Sequence, residues 1–135
     1  MNKVQLGNSD LQVASLTLGG NVFGWTIEEK QSFDVLDGFV GPGFNFVDTA
    51  DVYSRWAPGN AGGESEKIIG NWMKHRNNRK DVIIATKVGA DMGLGKTNLS
   101  KKYILTAVED SLKRLQTDYI DLYQTHWDDL DTPVE

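Results

Sequence analysis

Hydrophobic and polar positions first alternate in short runs, then settle into longer periodic blocks. Val4-Gln5-Leu6 and Leu11-Gln12-Val13 flank Gly7-Asn8-Ser9-Asp10, a turn-forming cluster, which predicts a hairpin. Leu16-Thr17-Leu18 reads as a short strand ending in Gly19-Gly20-Asn21. Thr26 is placed to cap a helix with Glu28 and Glu29 in its first turn. Phe33, Leu36, Phe39 and Val40 then recur at helical spacing, and Gly41-Pro42-Gly43 ends the run. Residues 44–47 predict a strand ending at Asp48, followed by a polar loop over 53–63. A helix is expected from Glu64 to about His75, with Ile68, Ile69, Trp72 and Met73 on one face. Residues 82–86 read as a buried strand ending at Lys87, and a Gly-rich loop runs to Asn98. Ser100 caps the next helix, whose apolar stripe is Ile104, Leu105, Val108, Leu112 and Leu115. Residues 119–124 form the last strand, ending at His126.

The order is therefore a hairpin followed by β-α-β-α-β-α-β. Strands alternating with helices imply parallel strands joined by crossover helices, an α/β fold. The pattern alone admits both a doubly wound sheet and a barrel. Thr132-Pro133-Val134-Glu135 has the form of a helix start, with a cap, Pro at the first helical position and an acid behind it. So short a helix cannot hold itself together. The expectation is a truncated chain or fragment, with a disordered tail as the plainer alternative.

At 135 residues the chain suits one domain and one core. Hydrophobic residues are 39% and charged residues 24%, ordinary for a globular protein. No apolar run approaches the ~20 residues of a membrane span, and the first residues lack a secretory apolar core. With no cysteine, disulfide and thiol chemistry drop out. A cytoplasmic protein without membrane contact fits these features. The net charge of −5 argues against a nucleic-acid partner. The basic run Lys74-His75-Arg76-Asn77-Asn78-Arg79-Lys80 reads instead as a solvated helix end complementing the helix dipole.

Three ionisable residues stand just past consecutive strands: Asp48, Lys87 and His126. In parallel α/β folds that edge is where sites are built. Each alone suits a plainer role: a turn cap, a solvated lysine, a loop histidine. Together they are harder to dismiss. Tyr53 follows Asp48 in the loop above the same strand. A phenol is a poor acid at neutral pH, but a nearby ammonium favours the phenolate. Lys87 could supply that ammonium and Asp48 could hold it, while His126 donates to a carbonyl oxygen. Such a set is a general-acid site for reducing a carbonyl.

The stretch Gly43-Phe44-Asn45-Phe46-Val47-Asp48-Thr49-Ala50-Asp51-Val52-Tyr53 resembles the aldo-keto reductase signature, a strand ending in Asp-Thr-Ala with a Tyr beyond it. Residues 5–13 resemble that family's N-terminal hairpin, and residues 63–70 the start of its second helix. Ile84-Ala85-Thr86-Lys87 and residues 118–126 are similar to its lysine and histidine segments. The resemblance runs through essentially the whole chain, in order. It implies the N-terminal half of a (β/α)8 TIM barrel with an N-terminal β-hairpin, residues 1–135 being one partial barrel domain with strands 1–4, helices 1–3 and the start of helix 4. It also implies a catalytic tetrad of Asp48, Tyr53, Lys87 and His126, with Tyr53 protonating a carbonyl oxygen as a nicotinamide delivers hydride.

Within the resemblance, Gly20, Asn21 and Val22 belong to a loop near the nicotinamide, with Asp48 beside them. NADPH is the implied cofactor and NADH the alternative, and the substrate class is small aldehydes and ketones. Trp25, Trp56 and Trp127 are candidates for a substrate wall, ordinary packing being the alternative. The loop over 54–63 is longer than the shortest in the family. A full barrel of this type needs about 250 residues. In the family, most contacts to the cofactor's phosphate and adenine come from the half not present here.

Gly89-Ala90-Asp91-Met92-Gly93-Leu94-Gly95-Lys96-Thr97 brushes against a P-loop, but the motif needs a Gly with four residues between it and Gly95-Lys96-Thr97, and the count gives Ala90. No Gly-x-Gly-x-x-Gly follows the first strand, which argues against a dinucleotide-binding sheet of that kind. Two histidines and no cysteine make a metal site weak. Two readings remain: a nicotinamide-dependent carbonyl reductase in its complete form, or a non-catalytic half-barrel that self-associates or needs a complementary half.

Overall fold

The computed structural model describes residues 2–133. Strands β1 (Lys3–Gln5) and β2 (Gln12–Ala14) pair antiparallel with Val4 opposite Val13, the expected hairpin displaced by one residue. The buried Asn45 ties the hairpin to the rest. Its Oδ1 accepts the Ala14 N–H at 2.9 Å and its amide donates to the Gln12 carbonyl at 3.0 Å.

Strands β3 (Thr17–Gly19), β4 (Phe46–Asp48), β5 (Ile83–Val88) and β6 (Leu122–Thr125) form one parallel sheet in that order. Helices α1 (Glu29–Val40), α2 (Glu64–Arg76) and α3 (Lys101–Leu115) make the crossovers. Side chains alternate across a strand. Val47 and Ile84 turn to the helices and join Phe23, Leu36, Ile69, Trp72 and Leu115 in the core. Asp48 and Lys87 therefore project from the other face. With all three helices packed on one face, the sheet is laid out as barrel strands are, not as a doubly wound sheet, which is covered on both faces.

Several elements depart from expectation for visible reasons. Thr26 does not cap α1. Its N–H is taken by the Val22 carbonyl in the turn before, and the cap position falls to Glu28, which makes no side-chain cap bond. Ser100 does cap α3, accepting from the Tyr103 N–H at 3.4 Å. The α3 stripe is rotated: Leu115 is buried as expected, but Ala107 and Ser111 are buried too while Leu105 is 56% exposed. Gly70 of α2 lies against the backbone of Arg114 and Leu115, and only small residues suit so close an approach.

Strand β6 starts three residues later than predicted, because residues 119–121 are bound to Arg79 instead. The Arg79 guanidinium donates to the Tyr119 carbonyl and the Asp121 carboxylate, and lies 3.8 Å from the Tyr119 ring centre. Asp121 Oδ2 also accepts the Ile84 N–H at 2.8 Å, replacing a ladder bond with a side chain.

The basic run is a solvated helix end over its first part only, Arg79 being taken up by the Asp121 contacts above. Lys74, His75 and Arg76 close α2, and Arg76 forks onto Asp37 across to α1. The predicted helix start at 132–135 lies partly outside the described residues. Within them, Thr132 folds back to donate to Asp129 Oδ2 at 2.7 Å. Among the described residues no helix is long and apolar enough to cross a membrane.

Candidate active site

The ends of three adjacent strands carry the predicted site residues. Asp48 ends β4, Lys87 is the penultimate residue of β5, and His126 follows β6, where its N–H donates to the Val88 carbonyl at 2.8 Å. Tyr53 stands on the turn after β4, its N–H bonded to the Ala50 carbonyl. These four predicted residues meet. Lys87 Nζ donates to Asp48 Oδ2 at 2.7 Å, to the Thr49 carbonyl at 2.8 Å and to Tyr53 Oη at 2.9 Å. Tyr53 Oη donates to Asp48 Oδ2 at 3.2 Å. The Lys87 and Asp48 side chains remain 15% and 24% exposed, so the cluster is sheltered yet reachable.

His126 stands beside it, its ring centre 5.8 Å from that of Tyr53 and at 75° to it. Burial and then the Lys87 ammonium hold the imidazole below its ordinary pKa, against an opposing pull from Asp48. Its Nδ1 is buried without a partner. The tryptophans extend the same surface. Trp127 stacks on His126 with centroids 5.8 Å apart, and Trp56 stands edge-on to both Tyr53 and Trp25. All three indoles are about half exposed or more, so they form an open wall and not core.

Gly20, Asn21 and Val22 lie at the rim. The Gly20 N–H donates to the Asp48 carbonyl at 2.7 Å, which fixes the turn after β3 against the end of β4. The Val22 carbonyl accepts the N–H groups of Trp25 and Thr26. The Asn21 side chain is exposed.

Several supporting residues escaped the sequence pattern. Thr49 Oγ1 lies 2.8 Å from Ser65 Oγ, which donates to the Gly20 carbonyl at 2.7 Å. Ser54, fully buried with φ of 70°, donates to the Phe23 carbonyl at 2.7 Å. That backbone angle is uncommon outside glycine, and the buried hydroxyl bond holds it. Behind the sheet, Glu66 is fully buried, bound by Arg114 Nε and the Thr86 hydroxyl, both at 2.6 Å. Buried serines and acids inside an apolar helical face were the available signal for this layer.

The Gly-rich loop holds no phosphate cradle. Its amides at Gly93, Leu94 and Gly95 all donate to Asp91 Oδ1, at 2.8, 2.8 and 3.0 Å. The chain's own carboxylate fills the position, and those amides keep it below the usual carboxylate range. Among the described residues no cluster of His, Asp or Glu is arranged to hold a metal ion.

Residues 15–135 match the family model described as the aldo/keto reductase family. The chain is 39% identical over 143 residues to the uncharacterized oxidoreductase YqkF of Bacillus subtilis, an alignment covering 100% of this chain and 43% of that one. It is 53% identical over 88 residues to an uncharacterized 11.2 kDa protein of Pseudescherichia vulneris, covering 64% of this chain and 85% of that one. The solved holo form of the aldo-keto reductase AKR11C1 from Bacillus halodurans superposes with a TM-score of 0.81 at 42% identity, over 99% of this chain and 43% of that chain. The chain thus spans about two fifths of the length of the oxidoreductase and of the solved reductase.

Proposed function

The chain belongs to the aldo/keto reductase family, and from that premise we propose that it carries the proton-donating half of a carbonyl reductase site. Membership implies an NAD(P)H-dependent oxidoreductase acting on small carbonyl compounds. The finer reading assigns Tyr53 as the general acid, Lys87 and Asp48 as the pair that tunes it, and His126 as the group that orients the substrate. The observation that carries this is the Lys87 ammonium, bonded at once to Asp48 and to Tyr53 Oη.

As the Tyr53 proton passes to a carbonyl oxygen, negative charge gathers on Oη. The Lys87 N–H already pointing there stabilises it without rearrangement. Asp48 holds the ammonium in place. His126, kept neutral by its surroundings, has a ring N–H to offer the carbonyl oxygen and so fixes which atom receives the proton. The indoles of Trp25, Trp56 and Trp127 form one open wall beside the reacting group.

The flat indole faces and the converging donors suit an aromatic ring laid beside a carbonyl, so the residues present fit a nicotinamide. Gly20, Asn21, Val22 and Asp48 would hold it, and when bound in reduced form it supplies hydride to the carbonyl carbon. NADPH is the proposed cofactor, with NADH as the alternative, and the cytoplasm the proposed location.

Replacing Tyr53 by Phe in a chain carrying a complete barrel should lower kcat by about 10²–10⁴-fold while cofactor affinity stays as before. Undiminished turnover would remove Tyr53 from its role.

A second reading concerns the 135 residues alone. The sheet has open edges at β3 and β6, and the Bacillus subtilis oxidoreductase and the solved reductase contain more than twice this length. We therefore propose that these residues need a complementary barrel half to turn over substrate. Nicotinamide fluorescence titrated against the 135-residue chain separates the readings: saturable binding supports a competent half-site, and none supports an inert one.

A further inference from the structure

The loop that carries Asp48 and Tyr53 holds another ionisable side chain, Asp51, which the proton transfer above does not use. Asp51 is 2% exposed and its Oδ1 has no hydrogen-bond partner. Its backbone N–H donates to the Lys87 carbonyl at 3.2 Å, fixing it against the strand that bears the ammonium. Within electrostatic reach lie Glu66 of α2, Arg114 and Tyr103 of α3, Lys87 of β5, and Tyr123 of β6, whose Oη also lacks a partner. A cavity of about 120 Å³ lined by Asp51, Met92, Tyr103, Asp110 and Arg114 adjoins it, large enough for a few waters to carry a proton.

Two buried acids lie near one arginine here, and only one of them binds it. Glu66 takes Arg114 Nε and the Thr86 hydroxyl. Asp51 has neither. A buried carboxylate with an unpartnered oxygen is strongly penalised, and the neutral acid is the lower state. We propose that Asp51 is a positioning residue for the Asp48–Tyr53–Lys87 cluster: held as a neutral acid, it leaves the Lys87 charge to Asp48 and Tyr53, and its ionisation opposes proton donation by Tyr53. The inference rests on the role given to Tyr53 above.

The sense follows from charge. An ionised Asp51 attracts the Lys87 ammonium and repels the negative charge appearing on Tyr53 Oη. Proton donation is favoured while Asp51 is neutral and opposed once its proton has left to solvent. Burial first, and the Glu66 charge second, push the Asp51 carboxyl up to about 7, so the change falls in the neutral range.

The test is NMR of the full 135-residue chain, with labelled aspartate carboxyl carbons and lysine Nζ, titrated from acid to alkaline pH. Asp51→Asn assigns the Asp51 signal. The expected result is a carboxyl midpoint near neutrality and a Lys87 Nζ resonance that moves with the same midpoint, the movement vanishing in Asp51→Asn. Glu66→Gln should shift the midpoint down. A midpoint in the ordinary aspartate range, or a Lys87 signal blind to the Asp51 step, would overturn the proposal. If Glu66→Gln does not fold, the parent chain and Asp51→Asn decide alone. No turnover is measured, so failure of the Tyr53 assignment would show separately, as full activity in Tyr53→Phe with the Asp51–Lys87 coupling intact.

Discussion

Asp51 and His126 set opposite limbs of the pH dependence of stability. The Asp51 carboxyl is raised from 3.8 to about 7 in the folded chain. Between those values the folded state binds a proton that the unfolded state has lost, so stability falls as pH rises through that window and levels off above it. Asp51→Asn should flatten that limb and raise unfolding free energy at mildly alkaline pH by about 2–4 kcal/mol, read from urea midpoints. His126 acts in the other sense. Its folded pKa lies below 6.5, so its contribution is present above the unfolded value and is lost as pH falls through the lower folded one. His126→Gln should remove part of the acid-side loss, measured by the same urea series at mildly acid pH. The sequence revealed His126 and not Asp51 for a physical reason. Asp48, Lys87 and His126 announce themselves at strand ends, a position readable from local pattern. The unpaired state of Asp51 depends on Glu66 having taken Arg114, residues remote in the chain that meet only in the fold.

At the scale of elements, the packing of α2 on α3 departed furthest from the hydrophobic pattern. Periodicity placed Leu105 and Leu115 on the buried stripe; Leu115 is buried, but Leu105 is exposed and the other residues that bury are Ala107 and Ser111. Close approach explains it. Gly70 brings α2 onto the Arg114 carbonyl and the Leu115 backbone, and Glu66 reaches Arg114 across the same seam. An interface built on small residues and a buried ion pair looks polar in sequence, so the apolar pattern misses it. Gly63 completes the arrangement: its φ of 84° precedes α2, and the Arg114 side chain lies over it. The succession of strands and crossover helices along the chain and the Ser100 cap were legible, because each rests on local period or cap chemistry. Gly70→Ala tests the seam. Ala is favoured over Gly in a helix by about 1 kcal/mol, but its Cβ would strike the Arg114 carbonyl. The expected net is a loss of about 1–3 kcal/mol in urea unfolding, as for overpacked cores; a gain would show that α3 moves aside freely.

For the whole molecule, the decisive feature is that the helices cover one face of the parallel sheet and leave the other, with Asp48 and Lys87, as the candidate site. A barrel closes such a sheet on itself, so that the uncovered face becomes a packed interior and both edges disappear. In this chain β3 and β6 have one neighbour each, and Leu105, Tyr119, Trp127 and Leu130 are exposed in and after α3. Unpaired parallel edges beside apolar surface favour association over a lone monomer. Sedimentation of the 135-residue chain should therefore show concentration-dependent association. Adding a polypeptide that completes the barrel should convert the mixture to one species and protect the β6 amides from hydrogen exchange. A monodisperse monomer with protected β6 amides at every concentration would mean that the sheet edge is satisfied within the chain. The site's sheltering would then come from its own loops, with Trp25, Trp56 and Trp127 alone excluding water from Tyr53.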